Sequence, residues 1–162
     1  MKHSRLIFLM LIIFNRPSAA QTPAPVLPDF KFFTFGGQPT GQRDLVKEKI
    51  NLFIFFDPDC DHCQRTVADI NKNYKAFSKA SLIFVSVEGW QKINQFAGLY
   101  APVLEKQKNV RFLRDSLNQF ITIFKPRRYP ALYLYSADKK LLDYEDNENS
   151  LFRIERFIKM AK

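Results

Sequence analysis

Apolar residues in this chain arrive as short unbroken runs, separated by stretches in which they recur at spacings of three and four. Lys49 to Phe56, KINLFIFF, is near-continuous and β-rich, as expected of a strand buried on both faces. Leu82 to Val87 (LIFVSV) reads the same way, and Ala131 to Tyr135 (ALYLY) reads as a further strand. Phe30 to Phe35, FKFFTF, predicts an opening strand, and Gly36 to Gly41 predicts a turn. Val67, Ile70, Tyr74 and Phe77 predict one helix with a single apolar face, which Cys63 joins. Trp90 to Ala101 predicts a second helix, ended near Pro102. Val110 to Leu113 predicts a short strand and Leu117 to Phe124 a short helix. Leu141 to Tyr144 pairs with ALYLY through the Ser136-Ala137-Asp138 turn, and Leu151, Ile154, Phe157, Ile158 and Ala161 mark a last helix. The order β, β, α, β, α, β, α, β, β, α predicts an α/β fold. Its central sheet is mostly parallel, made mixed by the closing hairpin, with helices on both faces.

Two segments lie outside that pattern. Residues 1–20 carry a basic start (Lys2, His3, Arg5), a nine-residue apolar run from Leu6 to Phe14, and the small residues Ser18-Ala19-Ala20. This predicts a secretory signal peptide cleaved after Ala20. A membrane span needs roughly 20 apolar residues. Gln21 to Pro28, QTPAPVLP, reads as a Pro-rich extended linker, and residues 29–162 as one domain. With 46% apolar residues and 17 phenylalanines the chain can bury a core, which excludes a disordered chain.

Cleavage would remove Lys2, Arg5 and Arg16, taking the net charge from +9 to +6. The remaining cations are scattered, which points to a solvated basic surface and no nucleic-acid partner. Export to the periplasm or beyond also changes how the two cysteines read, because an oxidising compartment lets them pair.

Those cysteines stand in FFDPDCDHC, with His62 between them. Cys60 and Cys63, at i and i+3 in the first turn of a helix, share a face and can form a disulfide. Unpaired amides and the helix dipole favour a thiolate there. Cys60, the more N-terminal, is the expected nucleophile, and Cys63 on the apolar face the resolving thiol. His62, if protonated, favours the thiolate; Asp61 opposes it, with Asp57 and Asp59 adding to the opposition. Asp57 and Asp69 read better as solvated-loop and helix-capping carboxylates. A zinc site usually takes four ligands, and beyond residue 20 the chain has no other cysteine or histidine and only Met160 as methionine. No metal and no dissociable cofactor is expected. A staple closing so short a loop removes little chain entropy. The second motif is Arg128-Tyr129-Pro130-Ala131, a proline at the head of a strand, cis or trans.

Together these features resemble the thioredoxin-like superfamily, over roughly Pro28 to Lys162. The stretch PDFKFFTFGGQPTGQRDLVKEKINLFIFFDPDCDHC looks like its exported TlpA-like and AhpC/TSA-related branch. The resemblance implies a thiol–disulfide oxidoreductase, with Cys60 as nucleophile and Cys63 as resolving cysteine. It implies that Pro130 is the family's cis-proline and that the backbone of Tyr129 pairs with a substrate strand. It implies protein thiol or disulfide substrates and leans mildly to a reductase fed by a membrane thiol-relay protein. The departures are specific. Asp59 replaces the usual aromatic residue before the first cysteine. Ile54 stands at the family's buried acid, leaving Glu88 and Glu105 as conceivable substitutes. The Pro-x-x-x-Thr/Ser-x-x-Cys pattern of peroxidases is not met by Pro58 and Cys60. Two rival readings stand beside this one: a thioredoxin-fold binding protein with an inert cysteine pair, and a metallochaperone.

Overall fold

The computed structural model describes residues 22–147 and 151–160. The signal-peptide reading and Ala161 therefore lie outside the described residues. Seven strands form one sheet: β1 (Lys31–Phe33), β2 (Pro39–Gly41), β3 (Asn51–Phe55), β4 (Ser81–Ser86), β5 (Val110–Arg114), β6 (Ala131–Tyr135) and β7 (Leu141–Glu145). Their order is β2-β1-β5-β4-β3-β6-β7. The helices are α1 (Asp61–Lys72), α2 (Tyr74–Phe77), α3 (Trp90–Tyr100), α4 (Gln119–Phe124) and α5 (Leu151–Met160), with short 3-10 turns at Gln42–Asp44 and Leu104–Lys106.

The sheet is mixed, as expected, but it is not mostly parallel. Only β3/β4 and β4/β5 pair in parallel, whereas β1/β2, β1/β5, β3/β6 and β6/β7 are antiparallel. A hairpin on each side of three parallel strands accounts for this. The opening hairpin was only half legible. Its second strand, β2, falls where a turn is expected; the turn itself is confined to Thr34–Gln38, with Gly37 at φ 77. Pro39 is tolerated because β2 is an edge strand. A second correction concerns the first helix, which is two helices. α1 ends at Asn73, whose backbone N–H and side chain both donate to the Asp69 carbonyl, at 3.0 and 3.1 Å. The lead-in is extended, as its prolines dictate, but it is stitched to the domain. Leu27 is 2% exposed and its N–H donates to Lys139 O at 2.8 Å, and Val26 bridges to Lys140.

The continuous apolar strands serve two cores. Leu52, Ile54, Leu82 and Phe84 face α1, α2, α3 and α5, where they meet Cys63, Val67, Ile70, Phe77, Ile93, Phe96, Ile154 and Ile158. Phe53, Phe55, Ile83 and Val85 face α4, meeting Phe120, Phe124, Phe30 and Phe32. Helices cover both faces, as the element order predicts.

Candidate active site

β3 delivers the chain to the cysteines at the carboxyl end of the parallel strands. Phe56 keeps to the ladder, its N–H donating to Val85 O at 3.0 Å, and packs 4.6 Å from Phe96. A tight turn follows. Asp57 Oδ1 accepts from the Asp59 N–H at 2.9 Å, and Asp57 O accepts from the Cys60 N–H at 3.1 Å. The Gln64 side chain closes the turn from the helix side by donating to Pro58 O at 3.0 Å. The Asp57 carboxylate thus builds the turn and does not cap α1.

Cys60 is the N-cap of α1, with extended backbone angles, and is half-buried. Cys63, one turn on, is fully buried against the α1 core. Both are free thiols, and their side chains hydrogen-bond to each other. Burial pushes the Cys63 thiol far above its ordinary value, and Cys60 and the Asp57 carboxylate push in the same direction; a hydrogen bond from the Asp57 backbone opposes them. The pair is thus asymmetric: one thiol at a helix start and partly open, the other kept protonated.

The second motif converges on the first. Phe55 is in register with Ala131, so Pro130 heads β6 beside the point where β3 leaves the sheet. The Tyr129–Pro130 peptide is cis. The Tyr129 ring lies 4.8 Å from Phe55. Its hydroxyl is pushed up to about 12, first by burial and then by the negative potential of Asp57, Cys63, Glu88 and Cys60. His62, Arg128, Tyr129, Pro130, Asp146 and Asn147 line a pocket of ≈ 180 Å³ beside the cysteines.

The charged surroundings include partners that sequence reasoning missed. The Arg65 guanidinium lies 2.9 Å from His62 Nδ1. Lys92 of α3 bonds Asp59 at 2.7 Å and Glu88 at 3.4 Å. The His62–Arg65 and Glu88–Lys92 spacings, i+3 and i+4, were readable signals for two of these pairs. Asp61 sits exposed in the first turn of α1. Ile54 is fully buried, so no acid occupies that position. Glu88 lies on the rim of the site, coupled to Tyr129 and Lys92. Glu105 does not. It is exposed in the turn whose neighbours Val103 and Leu104 donate to Asn71 Oδ1 (2.8 and 3.2 Å), at the opposite end of α1 from Cys60. Among the described residues no group of three or more His, Cys, Asp or Glu side chains is arranged to hold a metal ion, and no helix is long and apolar enough to cross a membrane.

No protein-family model and no curated protein matches the chain. Solved structures do. The peroxidoxin BcpB of Mycobacterium tuberculosis superposes with a TM-score of 0.70 at 14% identity, over 88% of this chain and 99% of that one. A secreted M. tuberculosis disulfide oxidoreductase homologous to E. coli DsbE gives 0.64 at 17%, over 80% and 94%. An uncharacterized thioredoxin-like protein from Porphyromonas gingivalis gives 0.64 at 19%, over 85% and 94%. At such identities the likeness is one of fold, and the fold of this chain is thioredoxin-like.

Proposed function

We propose that the protein is an exported thiol–disulfide oxidoreductase acting through Cys60 and Cys63. The observation that carries this is the asymmetry of the pair: a half-buried thiol at a helix N-cap, hydrogen-bonded to a fully buried one. In the reducing direction the Cys60 thiolate attacks a substrate disulfide, forms a mixed disulfide and expels the first substrate thiolate. Cys63 then gives up its proton and attacks Cys60 Sγ. The Cys60–Cys63 bond forms, and the second substrate thiol leaves with both electrons. Tyr129 and Pro130 form the wall along which a substrate strand lies, with Tyr129 offering backbone hydrogen bonds.

The resemblance to the TlpA-like branch leans to a reductase over an oxidase. Asp61, one residue from Cys60, works in the same direction. A reductase outside the cytoplasm needs a dithiol donor, and a membrane thiol-relay protein is the donor class proposed. Peroxidase chemistry is not proposed despite the likeness to a peroxidoxin, since neither cysteine stands in the peroxidase pattern. No metal and no dissociable cofactor enters the mechanism.

Redox titration in glutathione buffers, with thiol trapping and mass readout, tests this reading. Characterised thiol oxidoreductases span roughly −270 to about −120 mV. A reversible Cys60–Cys63 couple toward the lower end is the expected result. A pair that never bridges at any poise would leave a binding protein with inert cysteines as the better reading.

A further inference from the structure

Arg127 and Arg128 stand side by side ahead of Tyr129, and both turn toward the carboxylate of Asp146. They are held unequally. Arg127 Nε lies 2.9 Å from Asp146 Oδ2, its guanidinium covers the Tyr144 ring at 4.7 Å, and its N–H donates to the Tyr144 hydroxyl at 3.1 Å. Arg128 Nε lies 3.7 Å from the same oxygen, beyond hydrogen-bond range, and its side chain is 69% exposed. A guanidinium carries five donors in a planar fork suited to carboxylates. Arg127 is committed to the fold, whereas Arg128 has donors to spare.

Arg128 also stands where a substrate passes. It lines the ≈ 180 Å³ pocket with His62, Tyr129 and Pro130, between the CxxC turn and the head of β6. The two sides of Cys60 differ in charge. On the α3 side, Asp59 and Glu88 share Lys92, leaving one net negative charge. On the β6 side, among the described residues, Arg127 and Arg128 share Asp146, a trio with one net positive charge. A polypeptide lying across the dithiol meets an acidic flank and a basic one.

We propose that Arg128 is a specificity residue of this groove, taking the carboxylate of an Asp or Glu that flanks the substrate cysteine. The preferred substrate class is then a polypeptide disulfide bordered by acidic residues. The proposal rests on the oxidoreductase reading. It adds no chemical step, because Arg128 binds a side chain that does not react.

The test compares two dye-labelled peptide disulfides, identical except for Glu or Lys beside the cysteine, in reaction with the reduced protein. The acidic peptide is expected to react about three- to fivefold faster, the effect of an exposed charge pair, and the advantage shrinks at high salt. Arg128→Gln should abolish the preference and Arg128→Glu invert it. Lys75→Glu, the same charge change on exposed α2, should leave it intact. An equal loss in Lys75→Glu and Arg128→Glu would assign the preference to net charge and overturn the proposal. So would a wild-type protein that reacts with both peptides alike. Oxidised glutathione against cystamine separates the sources of the carboxylate. A preference confined to the peptides supports a strand-borne acid, and one confined to the small disulfides overturns it. Failure of Cys60 to react with any disulfide would sink the oxidoreductase reading itself, a result distinguishable from reaction without preference.

Discussion

On the α4 face of the sheet, Phe120 lies 4.2 Å from Phe55 and 4.0 Å from Phe124, both pairs stacked within 6°. The hydroxyls that reach this face, from Tyr133 and Tyr135, each donate to a backbone carbonyl at 3.0 Å. On the α1 face the core instead encloses a thiol, Cys63. The difference teaches how the molecule divides its work. One face is filled with rings whose polar tips are satisfied and inert. The other holds one thiol in the dry interior and its partner at a helix start, where backbone amides are free to stabilise charge.

That contrast can be broken at several points. The largest effect belongs to the cysteines. Cys60→Ser should abolish turnover of any disulfide, while Cys63→Ser should still react once and accumulate a mixed disulfide at Cys60, visible as a mass adduct. Equal adducts in both variants would remove the assigned asymmetry. Next is the inert face. Phe120→Ala should cost about 3–5 kcal/mol of stability, measured by denaturant titration, because a fully buried ring leaves a cavity among stiff neighbours. A loss under 1 kcal/mol would mean that this face is not where the stability lies.

Alkaline pH should act on both faces at once. Burial raises Cys63, Tyr133 and Tyr135 above their ordinary values of 9.0 and 10.0. The folded state therefore holds those protons more tightly than the unfolded chain. Their stabilising contribution is complete below about pH 9 and declines as pH rises above it, by about 1.4 kcal/mol per pH unit for each proton retained. An unfolding midpoint that stays flat from pH 9 to 11 would contradict the burial of these groups. The smallest effect is expected at Lys92. It is exposed and screened, so Lys92→Ala should leave the denaturant midpoint unmoved while exposing Asp59 and Glu88 beside the dithiol. A lower reduction potential in that variant than in wild type is expected, and a higher one would overturn the idea that those acids disfavour the thiolate.

Much of this was readable in the chain. A strand buried on both faces has nowhere to place a polar residue, so KINLFIFF and LIFVSV were legible as buried strands, and ALYLY as the first strand of a hairpin. The CxxC turn and Pro130 were legible because their residue types are rare and their spacing is local. What escaped was short or tertiary. Pro39-Thr40-Gly41 has too few residues to show a pattern, and it becomes a strand only because β1 pairs with it. Tyr74 and Phe77 stay in phase with Val67 and Ile70, so the break at Asn73 leaves the apolar stripe unaltered. The Lys92–Asp59 bond and the Phe55–Tyr129 contact join residues 33 and 74 positions apart, beyond the reach of periodicity.

The stitched lead-in has a mechanical consequence. Ala24 receives the Tyr135 hydroxyl and donates to Phe124 O, and Leu27 is tied to Lys139. Tyr135 is in register with Asn51, whereas Ala131, at the other end of β6, is in register with Phe55 near the cysteines. The lead-in is therefore anchored at the pole remote from Cys60. Any leash that holds this domain by residues ahead of Thr22 pulls on that far pole. The dithiol then points away from the point of attachment, and tension reaches a hairpin end before it reaches the reactive turn.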